Sequence, residues 1–388
     1  MISSKKTMNI LELRNLKFEY PRESGRKIFT LDAPELCVEK GSNMALFGES
    51  GSGKSTLLRI CAGLQKGYSG EVKLFGSPLE SSGSRPGSAA LSRTAILFQD
   101  APLFDCTVFA NIAIGLKIRK TPASEIDRAV GEIMEKLNIA GLARAHSREI
   151  SGGQARRVCL ARVLVLKPEL LFLDEPFYSL DTNNRSQIMH ELKSMCSELA
   201  VTLMLVTHDK SEALALCESI AVIDGGSIIR RASVRECFNN PASEAEAKLI
   251  GRSTILYGRV VKCESEVAEI ECAADGGGSK PLTIQAAGSY PPGERVCVII
   301  NPQDVSVGLK KEGSREDGDP SSVLNNYDGV IESGMHYEFG MLVNITTCRD
   351  TRLQAYITSK SYEKLGIAPG LAVKVSVKAT SVKSFPMP

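Results

Sequence analysis

Gly48-Glu49-Ser50-Gly51-Ser52-Gly53-Lys54-Ser55-Thr56 is the stretch that decides the fold. A short apolar run, Met44-Ala45-Leu46-Phe47, leads into it, and an apolar helical run, Leu57-Leu58-Arg59-Ile60-Cys61, leaves it. Glycines let successive backbone N–H groups turn inward around an anion, and the following helix aims its positive end at the same point. A lysine at position 54 reaches the β and γ phosphates of a nucleotide, and a hydroxyl at position 55 ligates Mg²⁺. Gly48, Ser50, Gly51, Ser52, Gly53, Lys54, Ser55 and Thr56 are therefore candidate nucleotide contacts.

Further apolar runs flank this centre. Leu170–Leu173, Leu203–Thr207 and Ile220–Ile223 are short and separated by helical stretches, the pattern of parallel strands covered on both faces. Helical periodicity runs from Ser124 to Leu142, with Ile126, Val130, Ile133, Met134 and Leu137 on one stripe. Between Ser77 and Ser92 the chain is rich in Ser, Gly and Pro and reads as an exposed loop. Leu170–Leu173 runs into Asp174-Glu175. A carboxylate ending a buried strand holds Mg²⁺, which assigns Asp174, and Glu175 beside it is placed to polarise an attacking water. The bland alternative is two acids capping a helix near Pro176. A third element, Ile150-Ser151-Gly152-Gly153-Gln154, heads a helix bearing Arg156, Arg157 and Arg162, and its Ser and glycines form another anion nest. A second such cradle suggests two subunits facing head to tail around the nucleotide.

Taken in order, these motifs resemble the ATP-binding subunits of ABC transporters. Gly48–Thr56 matches Walker A; Ile150–Gln154 matches the family signature, with Ile where Leu is usual; Leu170–Glu175 matches Walker B with its glutamate. The resemblance implies that Gln99 is the Q-loop glutamine reaching Mg²⁺ and the attacking water. It makes Ser179-Leu180-Asp181 the D-loop and His208 the switch histidine at the γ-phosphate. Tyr20 takes the place of the aromatic that stacks on adenine, with Phe18 as the rival. Catalytic duty falls to Glu175, His208 and Gln99, Mg²⁺ to Ser55, Gln99 and Asp174, and further nucleotide contacts to Ser151, Gly152, Gly153, Gln154 and Asp181. The implied fold is an α/β P-loop ATPase over 1–250, with a helical subdomain at about 95–165, and the implied cofactors are ATP and Mg²⁺. Ala101–Ile112 corresponds to the region that receives a permease helix in importers, with Leu103 and Phe104 as apolar contacts.

The texture changes after about residue 250 to alternating strands, among them Val296-Cys297-Val298 and Val373-Lys374-Val375. Pro292-Gly293…Val296…Val298…Val305 matches Pro369-Gly370…Val373…Val375…Val382 at a constant shift of 77. Gly258-Arg-Val260 loosely parallels Gly329-Val-Ile331. Two small β units over 252–310 and 322–382 follow, and Gly276–Gly278 and Lys310–Pro320 read as turn or linker. They resemble the small OB-like TOBE/Mop barrels at the C-terminus of importer ATPases, so 251–388 is expected to be an all-β regulatory domain. That module binds tetrahedral oxyanions, and Ser322, Thr358, Ser361 and Lys378 are the positions carried over. Leu324 stands where the family often has Arg, which weakens charge complementarity there. The resemblance is best to importers of molybdate or tungstate. The alternatives are an importer ATPase for sulfate, iron, polyamine or sugar, or an ATPase gated mainly as a cytoplasmic oxyanion sensor.

Composition bounds the rest. The 388 residues carry 47 Lys plus Arg and 45 Asp plus Glu, a net +2, with no Trp and 5% aromatic residues. Such a chain lacks the basic excess and stacking platforms of nucleic-acid binders. No apolar run approaches the ~20 residues a membrane span needs, and the N-terminus has no signal-peptide stretch. The 11 cysteines are scattered without a Cys-x-x-Cys pair, the usage of a reducing compartment. The resemblance to importer ATPases implies as partners a second ATPase copy, membrane permease subunits and, indirectly, an external solute-binding protein. It also implies a place on the cytoplasmic side of the cell's inner membrane, as a peripheral subunit.

Overall fold

The computed structural model describes residues 8–20, 29–80, 88–178, 180–251, 253–273, 281–310, 325–337 and 340–387. Lys310–Pro320 beyond residue 310, Gly276–Gly278, Ser179, Ser322 and Leu324 lie outside them. The chain divides into two units, 1–238 and 239–388.

The first unit is built on one ten-stranded sheet. Its elements run β1 (Asn9–Glu19), β2 (Thr30–Glu39), β3 (Met44–Phe47), α1 (Lys54–Cys61), β4 (Ser69–Leu74), β5 (Ser77–Pro78), α2 (Ser88–Ser92) and β6 (Thr94–Leu97). They continue with α3 (Val108–Ile118), α4 (Ala123–Lys136), α5 (Gly152–Leu164), β7 (Leu170–Asp174), α6 (Thr182–Glu198), β8 (Thr202–Thr207), α7 (Lys210–Leu216), β9 (Ser219–Asp224), β10 (Ser227–Ser233) and α8 (Val234–Asn239). Strands β9, β3, β8, β7 and β6 lie side by side and parallel. Every residue of β3, β7 and β8 is buried, as their unbroken apolar runs require. Each large side chain fully buried here, such as Phe172, contributes roughly 1.5–3 kcal/mol relative to exposure.

β1, β2 and β4 form the antiparallel wing, and a single parallel pair, Ser227↔Asp32, joins it to the rest through β10. The strand order has one functional consequence. β3, β8 and β7 are adjacent, so the residues just past their carboxyl ends are brought together, the usual place for a site in a parallel sheet.

Helices α3, α4 and α5 bury their apolar stripes against one another. The helical period expected over 124–142 is cut short: α4 ends at Lys136, and Asn138 at φ 54° turns the chain into a 3₁₀ turn, Ala140–Leu142. The stripe is buried as expected, from Ile126 to Leu137. The Ser/Gly/Pro segment read as a loop carries the short β5 and α2 at its two ends.

The second unit contains α9 (Glu244–Ile250), β11 (Thr254–Glu264), β12 (Val267–Cys272), β13 (Leu282–Ala287), β14 (Arg295–Ile300) and β15 (Val305–Leu309). After these come β16 (Asn325–Tyr337), β17 (Gly340–Thr347), β18 (Arg352–Thr358), α10 (Ser359–Lys364), β19 (Ala372–Val377) and β20 (Lys383–Pro386). They form two five-stranded sheets, β13-β12-β11-β14-β20 and β15-β19-β16-β17-β18. The sheets are copies of each other, but each takes its last strand from the other repeat. β15 pairs with β19, and β20 with β14. The shift of 77 carries Ile299↔Lys383 onto Ser376↔Ser306, and Val296↔Pro386 onto Val373↔Leu309, both of which are observed pairs. One core, running from Leu256 to Val382, serves both sheets. All eleven cysteines are free thiols. No helix among the described residues is long and apolar enough to cross a membrane.

Candidate nucleotide site

The loop after β3 owes its path to its glycines. A Cβ on Gly48 would lie 2.1 Å from the Ile223 carbonyl oxygen, and Gly53 has φ 105° with the Phe29 ring closing the space beside it. No side chain fits either place without moving backbone or ring. Lys54 caps the loop from inside. Its Nζ donates to the carbonyls of Gly48 at 2.9 Å and Glu49 at 2.7 Å. Burial lowers the Lys54 pKa, while Glu175, Asp174 and Glu49 oppose that shift. The Ser52 hydroxyl is buried with no partner among the described residues, an orphaned donor inside the loop of the kind a phosphate oxygen satisfies.

Ser55 and Asp174 meet, as their motifs require. Ser55 Oγ donates to Asp174 Oδ1 at 2.8 Å, joining the start of α1 to the end of β7. Burial pushes the Asp174 carboxyl upward, against the Ser55 hydrogen bond and the Arg59 charge. A part-buried hydroxyl–carboxylate pair beside an anion loop is an oxygen donor set suited to Mg²⁺.

Glu175 follows with φ 43°, a left-handed conformation that costs a non-glycine residue roughly 1–3 kcal/mol. Its amide donates to the Val206 carbonyl at 3.0 Å, which fixes it against the end of β8. Glu175 Oε1 lies 3.3 Å from His208 Nδ1, so the glutamate and the histidine form one pair. The helix-cap alternative for the two acids fails, because Asp174 and Glu175 bond to Ser55 and His208 instead.

Several partners behind His208 were not foreseen in the sequence. Thr207 Oγ1 donates to the buried carboxylate of Glu212 at 2.6 Å and accepts from the Asp209 amide. Burial raises the Glu212 pKa, against the Thr207 hydrogen bond. Asp209 caps α7 and pairs with Arg185 of α6 at 2.6 Å. Asp181 caps the same α6, accepting from the Asn184 amide.

Tyr20 is 39% exposed just beyond β1, with its hydroxyl 3.1 Å from Thr56 Oγ1 and its ring edge-on to Phe18. Phe18 is 3% exposed and belongs to the core, so Tyr20 is the aromatic open to a base. Gln99 is exposed after β6, and its carbonyl accepts from Arg156 at 3.3 Å. Arg156, on α5, also donates to the carbonyls of Pro176 and Glu175. The turn Ser151-Gly152-Gly153-Gln154 forms a capping box on α5. Among the described residues no hydrogen bond joins this turn to the phosphate loop.

Beside the Gln99 segment lies a groove of about 410 Å³, lined by Ala101, Pro102, Leu103, Asp105, Arg148 and their neighbours. Phe104 is 52% exposed beside it. The buried Asn111 side chain holds the backbone of Phe104 at 2.8 and 3.0 Å.

In the second unit, Thr358 and Ser361 come together at the start of α10. The Thr358 hydroxyl accepts from the Ser361 amide and bonds its hydroxyl at 2.9 Å. Both are exposed, and so is Lys378, which precedes the turn Ala379–Ser381. Lys378 makes no contact with that pair among the described residues, and Ser322 falls outside them.

Residues 31–178 match the ABC transporter family model. The chain is 34% identical over 364 residues, 92% of its own length and 96% of the relative's, to the molybdate/tungstate import ATP-binding protein of Pyrococcus horikoshii. Among solved structures it resembles cbiO1 of Clostridium perfringens, part of the ABC transporter complex cbiONQ. That match has a TM-score of 0.53 and 29% identity over 60% of this chain and 91% of the other. A dimeric post-hydrolysis ATP-binding cassette holding ADP and phosphate matches with a TM-score of 0.51 and 27% identity, over 58% and 99%. Phosphate loop, strand-end carboxylates and this near full-length likeness together place the chain in the ABC transporter family, as an ATP-hydrolysing transport subunit.

Proposed function

We propose that two copies of this chain close on ATP and use its hydrolysis to drive a membrane permease that imports molybdate- or tungstate-type oxyanions. The observation that carries the chemistry is the Ser55–Asp174 hydrogen bond set beside the Glu175–His208 pair. Ser55, Asp174 and Gln99 would hold Mg²⁺, which when bound neutralises charge on the β- and γ-phosphates. Lys54 moves from the Gly48 and Glu49 carbonyls to the phosphates, and the loop amides with Ser50, Ser52 and Thr56 cradle them. Glu175 accepts the proton of the attacking water, and His208 steadies the γ-phosphate. Tyr20 stacks on the base. Ser151, Gly152, Gly153, Gln154 and Asp181 act across the dimer on the second copy's nucleotide.

The likeness to the Pyrococcus importer subunit over nearly the whole chain supports the substrate class. The groove beside Phe104 supports docking of the permease, which would hold the protein at the cytoplasmic face of the membrane. In the second unit Thr358, Ser361 and Lys378, with Ser322, are the proposed oxyanion contacts.

Glu175→Gln is expected to lower ATP turnover at least a hundredfold, the range for loss of a general base, with ATP binding retained. Hydrolysis at the wild-type rate would remove Glu175 from the base role. Calorimetric titration of molybdate, tungstate and sulfate into the full chain tests the second unit separately. Tungstate binding that Thr358→Ala and Lys378→Ala weaken supports the regulatory reading. No heat up to millimolar anion leaves that unit structural.

A further inference from the structure

Arg156 lies two residues past the signature turn and sends its guanidinium to three backbone carbonyls. They belong to Pro176, to Gln99 at 3.3 Å and to Glu175 at 3.4 Å. Its neighbour Arg157 behaves in the ordinary way, forking onto the Glu191 carboxylate at 3.1 and 3.3 Å. Among the described residues Arg156 has no carboxylate partner. Burial lowers its pKa, opposed by Cys159 and by the charges of Glu212 and Asp100, none of which hydrogen-bonds the guanidinium among the described residues. Every hydrogen bond of this half-buried arginine goes to a backbone carbonyl and none to a carboxylate, so the reason for its placement lies in what those acceptors do.

Those acceptors are informative. Gln99 is the glutamine after β6, and Glu175 is the glutamate with the left-handed backbone. A residue kept at φ 43° persists only where its surroundings over-determine it. The Glu175 amide is fixed by Val206, and Arg156 fixes the next two carbonyls on the other side. One side chain of α5 thus ties the helix carrying the signature turn to the loops that follow β6 and β7.

We propose that Arg156 is a positioning residue for hydrolysis, holding the Glu175 and Gln99 backbones in register with α5 so that the glutamate is aligned only when the signature helix is in place. This rests on the reading of Glu175 as the base. It acts within one copy of the chain, through carbonyls, and touches neither nucleotide nor water.

The test uses the purified full chain with Arg156→Met and Arg156→Lys, and Glu175→Gln in parallel. Arg156→Met is expected to lower kcat at least tenfold while KM for ATP stays within threefold. Amide exchange should rise in 99–102 and 175–178 but not along α5. Arg156→Lys should recover less than a third of kcat, since one ammonium does not fork across three carbonyls. Wild-type kcat in Arg156→Met with Glu175→Gln inactive overturns the proposal alone. A raised KM with unchanged kcat, or α5 losing protection with the loops, also overturns it. If Arg156→Met does not fold, wild-type kcat in Arg156→Lys has the same force. Turnover in Glu175→Gln instead removes the base reading, and loop exchange in Arg156→Met then judges the tether by itself.

Discussion

Glu169 shows at the residue scale how a charge outside the site holds the sheet that positions it. Arg93 Nε at 2.6 Å and Lys40 Nζ at 2.9 Å both bond its carboxylate, at the start of β7. They pull its pKa from an ordinary 4.5 to about 2. A carboxyl with a depressed pKa adds stability that is fully present above its unfolded value and is lost as pH falls through the folded one. Glu169→Gln is therefore expected to destabilise the protein by about 1 kcal/mol at pH 7, the upper range for partly exposed pairs. The gap to wild type should close between about pH 4.5 and 2. Urea unfolding at pH 7, 5 and 3.5 measures this. An unchanged gap at pH 3.5 would show that the Gln side chain, and not the lost charge, is responsible.

Other residues of the site differed in how far their order along the chain revealed them. The placement of Lys54, Ser55, Asp174, Glu175 and His208 at one sheet end was legible because each sits on a loop or strand end next to it in sequence. Tyr20 and Phe18 are two residues apart, so strand alternation alone left them level. The strand stops at Glu19, which leaves Phe18 in the core and Tyr20 past the edge. Arg156, Glu212 and Arg185 were opaque, because their partners lie on other elements and only the packed helices bring them close.

At the scale of elements the 77-residue repeat pointed to two related β units, but not to the partners of their strands. In-repeat pairing and exchanged pairing bury the same alternating valines, so the pattern is equally satisfied by β14 with β15 or β14 with β20. The chain after β14 passes through the 3₁₀ turn Pro302–Asp304, which the alternating pattern does not encode. The exchange predicts how the unit fails. Removing residues 383–388 takes away β20 and bares one edge of β14, more than 80 residues upstream (383 − 299). Amides of β14 that face β20 are expected to lose protection, and the second unit's unfolding temperature to fall, with ATP turnover preserved. Hydrogen exchange and calorimetry on the truncated chain check this. Intact β14 protection would mean that β20 is an ornament of the sheet. The 124–142 helix was misjudged at its end for a smaller reason: apolar periodicity continues past Lys136, but Asn138 adopts the left-handed turn that stops the helix.

Over the whole molecule, composition and function sit at different levels. A net charge of +2 gives no sign of anion chemistry, yet the first unit is organised around a phosphate loop. The loop carries one buried lysine and a run of backbone amides, neither of which a charge sum detects. The nucleotide unit follows from local motifs, and its many parallel strands were visible as unbroken apolar runs. The β unit follows from a repeat, and the oxyanion contacts proposed for it rest on few side chains.

The strand exchange also governs the order of events at the ribosome. β14 leaves the exit tunnel long before its partner β20 has been synthesised. At about 5–20 residues per second the first sheet waits roughly 4–17 s for completion. During that interval β14 presents an unpaired, valine-rich edge, the kind that templates association between nascent chains. Its biogenesis thus depends on translation tempo and on whatever shields that edge, although the finished fold shows no trace of the wait.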